Sequence, residues 1–447
     1  MKKQFSLLFL SLLLFILTGC SLQSPENLYT LPELPSEYKD LNFKIQSMLS
    51  SLGAEYAAPL TGDNTQTVQL QDIDGDGNPE AIAFFRIASD PKPLKVYIFK
   101  QVNNNYSTYS VIEGEGTAIH AISYRDLNGD GSAEVVVSWR MSEKVHSLAA
   151  YSVYAETSVE LMRTGYSGYG IVDIDMDSLQ EIMVIHIDSA ESNSRVELYD
   201  WQDSGMVLCS TTPLSTDLQG ISEIRSGFLR DSIPALFISS LFGDSNGVLT
   251  DIITLRDGEL TNLTLNPTTG QSAETMRYYD QVSCTDINRD SFLEIPIPVA
   301  LPVYAKTPST TDFWSIHWHQ YDIDGTAWSI GNTFHNIQDR WYLDLPEDWN
   351  DNFCLTRRDS TLYGERAVIF SRWRGENLEP TPFLTIYRLT GANRELRSQI
   401  GNRFVILSTS DTVYTAEFHE NAWNCGLTQD DLVTRFHLIR TEWSRTN

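Results

Sequence analysis

Four short stretches hold the chain's most concentrated chemistry. Asp72-Ile-Asp74-Gly-Asp76-Gly-Asn78-Pro-Glu80 is the first, and Asp126-Leu-Asn128-Gly-Asp130-Gly-Ser132-Ala-Glu134 the second. Asp173-Ile-Asp175-Met-Asp177-Ser-Leu179-Gln-Glu181 and Asp286-Ile-Asn288-Arg-Asp290-Ser-Phe292-Leu-Glu294 complete the set. All four obey D-x-[DN]-x-D-x-x-x-E. Such a ladder suits a hard cation: calcium takes roughly six to eight oxygen ligands. Side chains at positions 1, 3 and 5 converge when the chain curls tightly. Position 7 (Asn78, Ser132, Leu179, Phe292) then offers a backbone carbonyl, and the Glu at position 9 closes the shell. Glycine near position 6 permits the sharp turn. The loops close at position 9 rather than 12 and open into strands, so they are not EF-hands. The alternative use of the same residues is an Asx-turn hairpin whose aspartates bond the backbone without metal.

Other residues that could do chemistry are thinner. "WSIHWHQYD" places His317 and His319 on one face of a strand, as a metal pair requires, but no third ligand is evident. Eight of the ten tryptophans lie between Trp314 and Trp443; exposed ones could stack on sugars, while Trp in short strands ordinarily builds core. The chain has no G-x-S-x-G, HExxH or P-loop sequence. A carboxylate pair could serve as general acid and base, but the ladders already account for the regular acids.

The elements around the loops repeat as well. Successive ladders begin 54, 47 and 113 residues apart, and the long interval holds a unit without acids, "EIRSGFLRDSIPALFISS" (223–240). An apolar strand precedes each loop ("TVQL", "HAISY", "YGIV", "DQVSC") and another follows it ("AIAFF", "VVVSW", "IMVIH", "IPIPV"). Third strands ("KVYIF", "AAYSVY", "VELY", "DIITL") and weaker fourth strands complete each unit. Short runs rich in Val, Ile, Tyr and Phe between Gly, Asn, Asp and Ser read as strands. Four strands per unit at this period predict a mainly β protein built as a β-propeller. Five blades are visible and five to seven are possible.

The loops and their flanking strands resemble the FG-GAP/VCBS class of repeat found in integrin-like β-propellers, over about residues 60–335. The resemblance implies structural calcium in the loops. The first two match fully. The third and fourth keep the acids but place Ser178 and Ser291 where the turn glycine belongs, with Met176 and Arg289 at position 4.

The ends complete the reading. Met1-Lys2-Lys3, an apolar run from Phe5 to Leu17 and Leu17-Thr18-Gly19-Cys20 resemble a bacterial lipoprotein signal, with Cys20 as the lipidated residue. The run is too short to span a bilayer. The division expected is a signal over 1–20, a tether and short helix over 21–53 ("LNFKIQSMLSSLG" at its end), a propeller over 54–337 and a small α+β domain over 338–447. The last is similar to a C-terminal module of Firmicutes lipoproteins that carry VCBS-type repeats, which brings no activity with it. Thr428 and Asp431 form a capping-box pattern before one helix in that domain. Cys209, Cys284, Cys354 and Cys425 permit disulfides in an exported protein, and no pairing is assigned.

A net charge of −27 argues against nucleic acid as a partner, since phosphate binding needs clustered Lys and Arg. Partners expected are the membrane, through the lipid anchor, and an envelope protein or glycan. Two functions follow: a calcium-stabilised, non-catalytic binding or scaffold module at the cell envelope, or a glycan-active hydrolase or lyase using a propeller pocket.

Overall fold

The computed structural model describes residues 38–439, apart from 191–192, 244–246, 305–311, 350–351, 361–363 and 421–422. The predicted signal, Cys20 and most of the tether lie outside these residues. The chain is mainly β. Its described residues form six antiparallel sheets.

The chain enters through helix α1, Lys39–Leu52. Gly53 ends it in the left-handed conformation, and its N–H bonds the Leu49 carbonyl. Leu41 and Ile45, one helical turn apart, are buried. They rest on Ala81, Ala83, Phe85 and Phe99 of the first sheet.

The first sheet contains Val68–Gln71, Glu80–Arg86, Leu94–Val102 and Asn105–Gly114, with the two-residue strand Glu55–Tyr56 added at one edge. The second contains Ala118–Arg125, Glu134–Arg140, His146–Tyr154 and Thr157–Tyr166. The third contains Gly168–Val172, Glu181–His186, Arg195–Gln202 and Gly205–Pro213, and the fourth Leu218–Phe228, Pro234–Phe242, Gly247–Arg256 and Glu259–Asn262. Each is a four-stranded meander, the blade plan expected from the repeat.

Alternation explains why the second strands read as unbroken apolar runs. In Glu80–Arg86, Ala81, Ala83 and Phe85 face α1, while Ile82 and Phe84 face the second sheet. In Glu181–His186, Ile182 and Val184 pack toward the second sheet, and Met183 and Ile185 toward the fourth. A strand buried on both faces has no solvent side to mark with polar residues. One apolar core therefore lies between each neighbouring pair of sheets.

The fifth sheet departs from the plan. Residues 280–284 ("DQVSC"), expected as its first strand, form none; Thr285 and Glu294 make a single bridge there. The sheet runs Ile295–Ala300, Trp314–Tyr321, Ala327–Asn336, Trp341–Leu345 and then Phe436–Leu438. The expected boundary at 337/338 thus falls inside this sheet. The sixth sheet, Phe353–Ser360, Glu365–Arg372, Thr381–Thr390, Phe404–Ser408 and Thr412–Phe418, packs on the fifth through Phe334, Trp341, Phe353 and Phe370. Helix α2, Gln429–Arg435, begins in the predicted capping box: Thr428 and Asp431 each bond the other's backbone N–H. The four cysteines from Cys209 on are free thiols.

Candidate metal centres

All four ladders adopt one turn. The N–H of position 6 donates to the Asp at position 1: Gly77 to Asp72 at 2.9 Å, Gly131 to Asp126 at 3.0 Å, Ser178 to Asp173 at 3.1 Å and Ser291 to Asp286 at 2.9 Å. The N–H of position 7 donates to the Asp at position 5: Asn78 to Asp76, Ser132 to Asp130, Leu179 to Asp177 and Phe292 to Asp290, at 2.7–3.0 Å. The Asx-turn bonding and the ladder therefore coexist in the same residues. Positions 4 and 6 have positive φ throughout. Gly75 and Gly77 accept this freely (70° and 84°), while Met176 and Ser178 are held at 65° and 79° and Arg289 and Ser291 at 68° and 76°. A side chain there costs on the order of 1 kcal/mol, and the third and fourth loops keep the turn nonetheless.

The Glu at position 9 is the buried member. Glu80, Glu134, Glu181 and Glu294 are each at most 1% exposed. One oxygen is always taken: Oε2 accepts the N–H of position 2, from Ile73, Leu127, Ile174 and Ile287, at 2.7–2.9 Å. The other oxygen, Oε1, faces the ladder, and its partner differs from loop to loop.

That partner comes from the third strand of the blade. The pairs Ala81–Phe99, Val135–Tyr151, Ile182–Tyr199 and Ile295–His319 end the strand pairings, and one residue further on the same register sets Glu80 beside Lys100, Glu134 beside Ser152, Glu181 beside Asp200 and Glu294 beside Gln320. A β-bulge precedes this residue each time, between Ile98/Phe99, Ala150/Tyr151, Leu198/Tyr199 and Trp318/His319. The extra residue of each bulge lies in the neighbouring strand, and the corresponding pairing in the fourth sheet, which has no ladder, has no bulge. There Pro234 stands where the Glu would be, and five residues separate it from its partner Phe228, against eight between Gln71 and Glu80. The acid-free unit is too short to form the ladder.

In the first loop, the Lys100 ammonium bonds Asp74 and lies 2.7 Å from Asp76 and 3.8 Å from Glu80. Its contacts with Asp74 and Asp76 raise the lysine's pKa, and its hydrogen bond lowers that of Asp76 to about 2. In the second loop, Oε1 of Glu134 accepts from Ser152 at 2.8 Å and from the Asn128 amide at 2.9 Å. In the fourth, the Gln320 amide donates to Glu294 and Asp290, both at 2.7 Å. Arg289 does not replace it there. The third loop receives no donor. Asp173 Oδ1 and Glu181 Oε1 are buried with no hydrogen-bond partner. Desolvation first, then the charges of Asp175, Asp200 and Asp177, push Glu181 up to about 7. Glu294 is also raised to about 7, chiefly by burial, and burial raises Glu80 and Glu134.

Three loops bring carboxylate oxygens within 4.8 Å of one another: Asp72, Asp74 and Glu80; Asp173, Asp175 and Glu181; Asp286, Asp290 and Glu294. These clusters could each hold a metal ion. Two unit charges about 4 Å apart repel by about 4 kcal/mol at an effective dielectric near 20, so ionised clusters call for a cation. Buried carboxylate oxygens without a hydrogen-bond partner occur in the first loop (Asp72 Oδ1, Asp74 Oδ1) and the third (Asp173 Oδ1, Glu181 Oε1), and only the third leaves its buried Glu with one. The second loop forms no such triad, and the fourth, which also has Asn at position 3, forms its triad through Asp290 at position 5.

The loops also touch in series. The Ala133 N–H donates to the Ile73 carbonyl at 2.8 Å. A Cβ on Gly75 would fall 2.3 Å from the Gly131 carbonyl oxygen, so this glycine is required by close approach as well as by φ. The sequence of residues 72–137, spanning the first two loops and the sheet between them, matches the FG-GAP-like repeat family. The third and fifth sheets repeat its turn, its buried Glu and its bulge outside the matched residues. No curated protein matches the chain. Among solved structures, a Lactobacillus plantarum protein is similar at 10% identity over 72% of this chain and 88% of its own, with a TM-score of 0.31. A rhamnogalacturonan lyase of Bacillus licheniformis is similar at 13% identity over 62% and 51%, with a TM-score of 0.25. An exotype rhamnogalacturonan lyase is similar at 11% identity over 71% and 74%, again with a TM-score of 0.25. Likeness at this level carries no argument about activity.

Elsewhere, the aromatic and histidine residues are mostly structural. Trp318, Trp341 and Trp349 are buried. His317 bonds Ser315 at 3.2 Å, and burial together with His317 lowers the His319 pKa. Trp328 is exposed, donates to Asp322 at 3.0 Å and stacks under the Arg230 guanidinium. The residues that the sequence reading missed are Lys100, Ser152, Asp200 and Gln320. A partial signal existed: Lys100 and Asp200 each directly follow a quoted third-strand motif, "KVYIF" and "VELY", whereas Ser152 lies within "AAYSVY" and Gln320 within "WSIHWHQYD".

Proposed function

We propose that the chain is an exported, lipid-anchored lipoprotein whose FG-GAP-like blades are stabilised by calcium and which serves as a non-catalytic binding or scaffold module at the cell envelope. The observation that carries the calcium part is the third loop: carboxylate oxygens of Asp173, Asp175 and Glu181 lie within 4.8 Å of one another, no cross-strand side chain donates to them, and Asp173 Oδ1 and Glu181 Oε1 are buried without a hydrogen-bond partner. Oxygen-only donors at the end of a tight turn suit calcium better than a softer metal. A cation bound by the folded form alone raises stability in proportion to ln(1 + [Ca²⁺]/Kd). The non-catalytic part is supported by what the acids do: each buried Glu already ties its own turn, through Ile73, Leu127, Ile174 or Ile287. The signal-like first twenty residues support the anchor.

Melting the mature chain in EDTA and in millimolar calcium tests the calcium reading. A rise of several degrees in calcium, absent with magnesium at the same concentration, is expected; coincident curves would refute it. Membrane fractionation of cells making the native chain and Cys20→Ala tests the anchor, with release of the variant expected. A glycan array probed with and without EDTA tests the binding role. Depolymerisation of any bound polysaccharide would instead establish the hydrolase or lyase.

A further inference from the structure

The cross-strand position opposite the buried Glu is a lysine in the first loop and an aspartate in the third. The backbone is the same in both. So are the turn bonds and the bulge in the adjoining strand. What changes is the charge delivered into the ladder.

We propose that Lys100 is the resident cation of the first loop, so that this FG-GAP-like turn closes without metal, and that the residue at this third-strand position decides which loops take a divalent ion. The Lys100 ammonium contacts Asp74, Asp76 and Glu80, three of the four acids the ladder would use for a metal. A divalent ion entering there must displace it. Lys100 is also held from behind. Its side chain is about three-quarters shielded, and the Tyr109 ring, the extra residue of the adjoining bulge, lies 5.6 Å from the ammonium. The aromatic face favours a cation at this spot.

The third loop shows the opposite setting. Aspartate oxygens go unpartnered in both loops (Asp72 and Asp74 in the first, Asp173 in the third), but Asp200 adds a carboxylate where Lys100 brings an ammonium to within 3.8 Å of Glu80, and Oε1 of Glu181, a residue 1% exposed, is left without a partner. Ser152 and Gln320 are the neutral settings. Each offers an oxygen that can turn toward an ion, and Gln320 can do so by reversing its amide. The four loops thus form a charge series of +1, 0, −1 and 0 at one structural position. This inference rests on the reading that the third loop holds a divalent cation, and the experiment separates the two.

Calcium stoichiometry of the full mature chain, by isothermal titration calorimetry with CaCl₂, is measured for the native protein, K100S and D200K. K100S copies the second loop, and K100Q, which copies the fourth, replaces it if K100S does not fold. K100S is expected to bind one Ca²⁺ more than the native chain, and D200K one fewer. If neither K100S nor K100Q gains an ion, the proposal is overturned whatever D200K does. If the native chain binds none while K100S binds one, the assignment of Lys100 stands and the calcium reading of the third loop falls. If D200K keeps the native stoichiometry, the cross-strand position does not decide occupancy, and that part of the proposal is overturned.

Discussion

The first and third loops solve one electrostatic problem in two ways. Both fold the same nine residues into the same turn, bury the same Glu and spend the same oxygen on a backbone N–H. The first brings its own cation on a neighbouring strand. The third brings another acid and leaves an oxygen of its buried Glu without a donor, while aspartate oxygens go unpartnered in both. The glycines run the other way: the loop with Gly75 and Gly77 is the one with the lysine, and the loop strained at Met176 and Ser178 is the one left open to an ion. On the proposal that Lys100 closes the first loop, motif quality along the chain does not by itself set metal occupancy. A ladder with ideal turn residues can be internally neutralised by a side chain the motif does not include.

The comparison can be broken at its centre first. Glu181→Ala removes the acceptor of the buried Ile174 N–H and one wall of the cluster. A loss of about 2–4 kcal/mol in urea unfolding is expected, together with loss of the calcium-induced rise in melting temperature. Glu80→Ala should destabilise by a similar mechanism yet leave the calcium response intact. Equal loss of the response in both variants would mean that the two loops are alike.

Proton linkage gives a smaller effect with a definite sign. Glu181 and Glu294 have folded pKa values raised to about 7, above the ordinary value of about 4.3 for an unfolded glutamate. The folded form therefore holds protons that the unfolded form releases. In EDTA, these two groups contribute their full stability below pH 4.3, and it is lost as pH rises toward and through 7. In saturating calcium the ionised form is the bound form, and this decline should disappear. Denaturant midpoints at pH 5 and pH 7.5, in EDTA and in calcium, measure it; parallel pH profiles would show that no ion meets these carboxylates.

The smallest change sharpens the strain argument. Ser178→Gly relieves a side chain held at φ 79° and should stabilise by about 0.5–1 kcal/mol after allowance for the more flexible unfolded chain. The matching change in the first loop is already present as Gly77. A loss of stability in Ser178→Gly would show that the serine makes a contribution beyond its backbone.

Much of the fold was legible because its signals are local. Each ladder lies within nine residues, and each second strand is an apolar run because both its faces are buried, as Ile82 and Ala83 show by facing different cores. The acid-free unit at 223–240 was legible from spacing alone. Two features were not. The fifth sheet takes strands from either side of residue 337, and pairing between Leu343 and Phe436 leaves no mark in the sequence of either segment. Its missing first strand was hidden because "DQVSC" has strand-like composition while only Thr285 bridges across. Lys100 escaped for a related reason: 26 residues separate it from Asp74, and only strand register brings it back.

The short strand Phe436–Leu438 sets an order of events for the nascent chain. Until it is made, Trp341–Leu345 is an uncovered edge, with Trp341 and Leu343 ready to pair with any extended segment. Such an edge is a template for association between chains. The first four sheets need nothing from beyond their own stretch to pair. The fifth stays adhesive through the whole synthesis of the sixth, so a ribosome that stalls after residue 345, or a protease that trims back past 436, would yield molecules with intact ladders and a tendency to stick to one another.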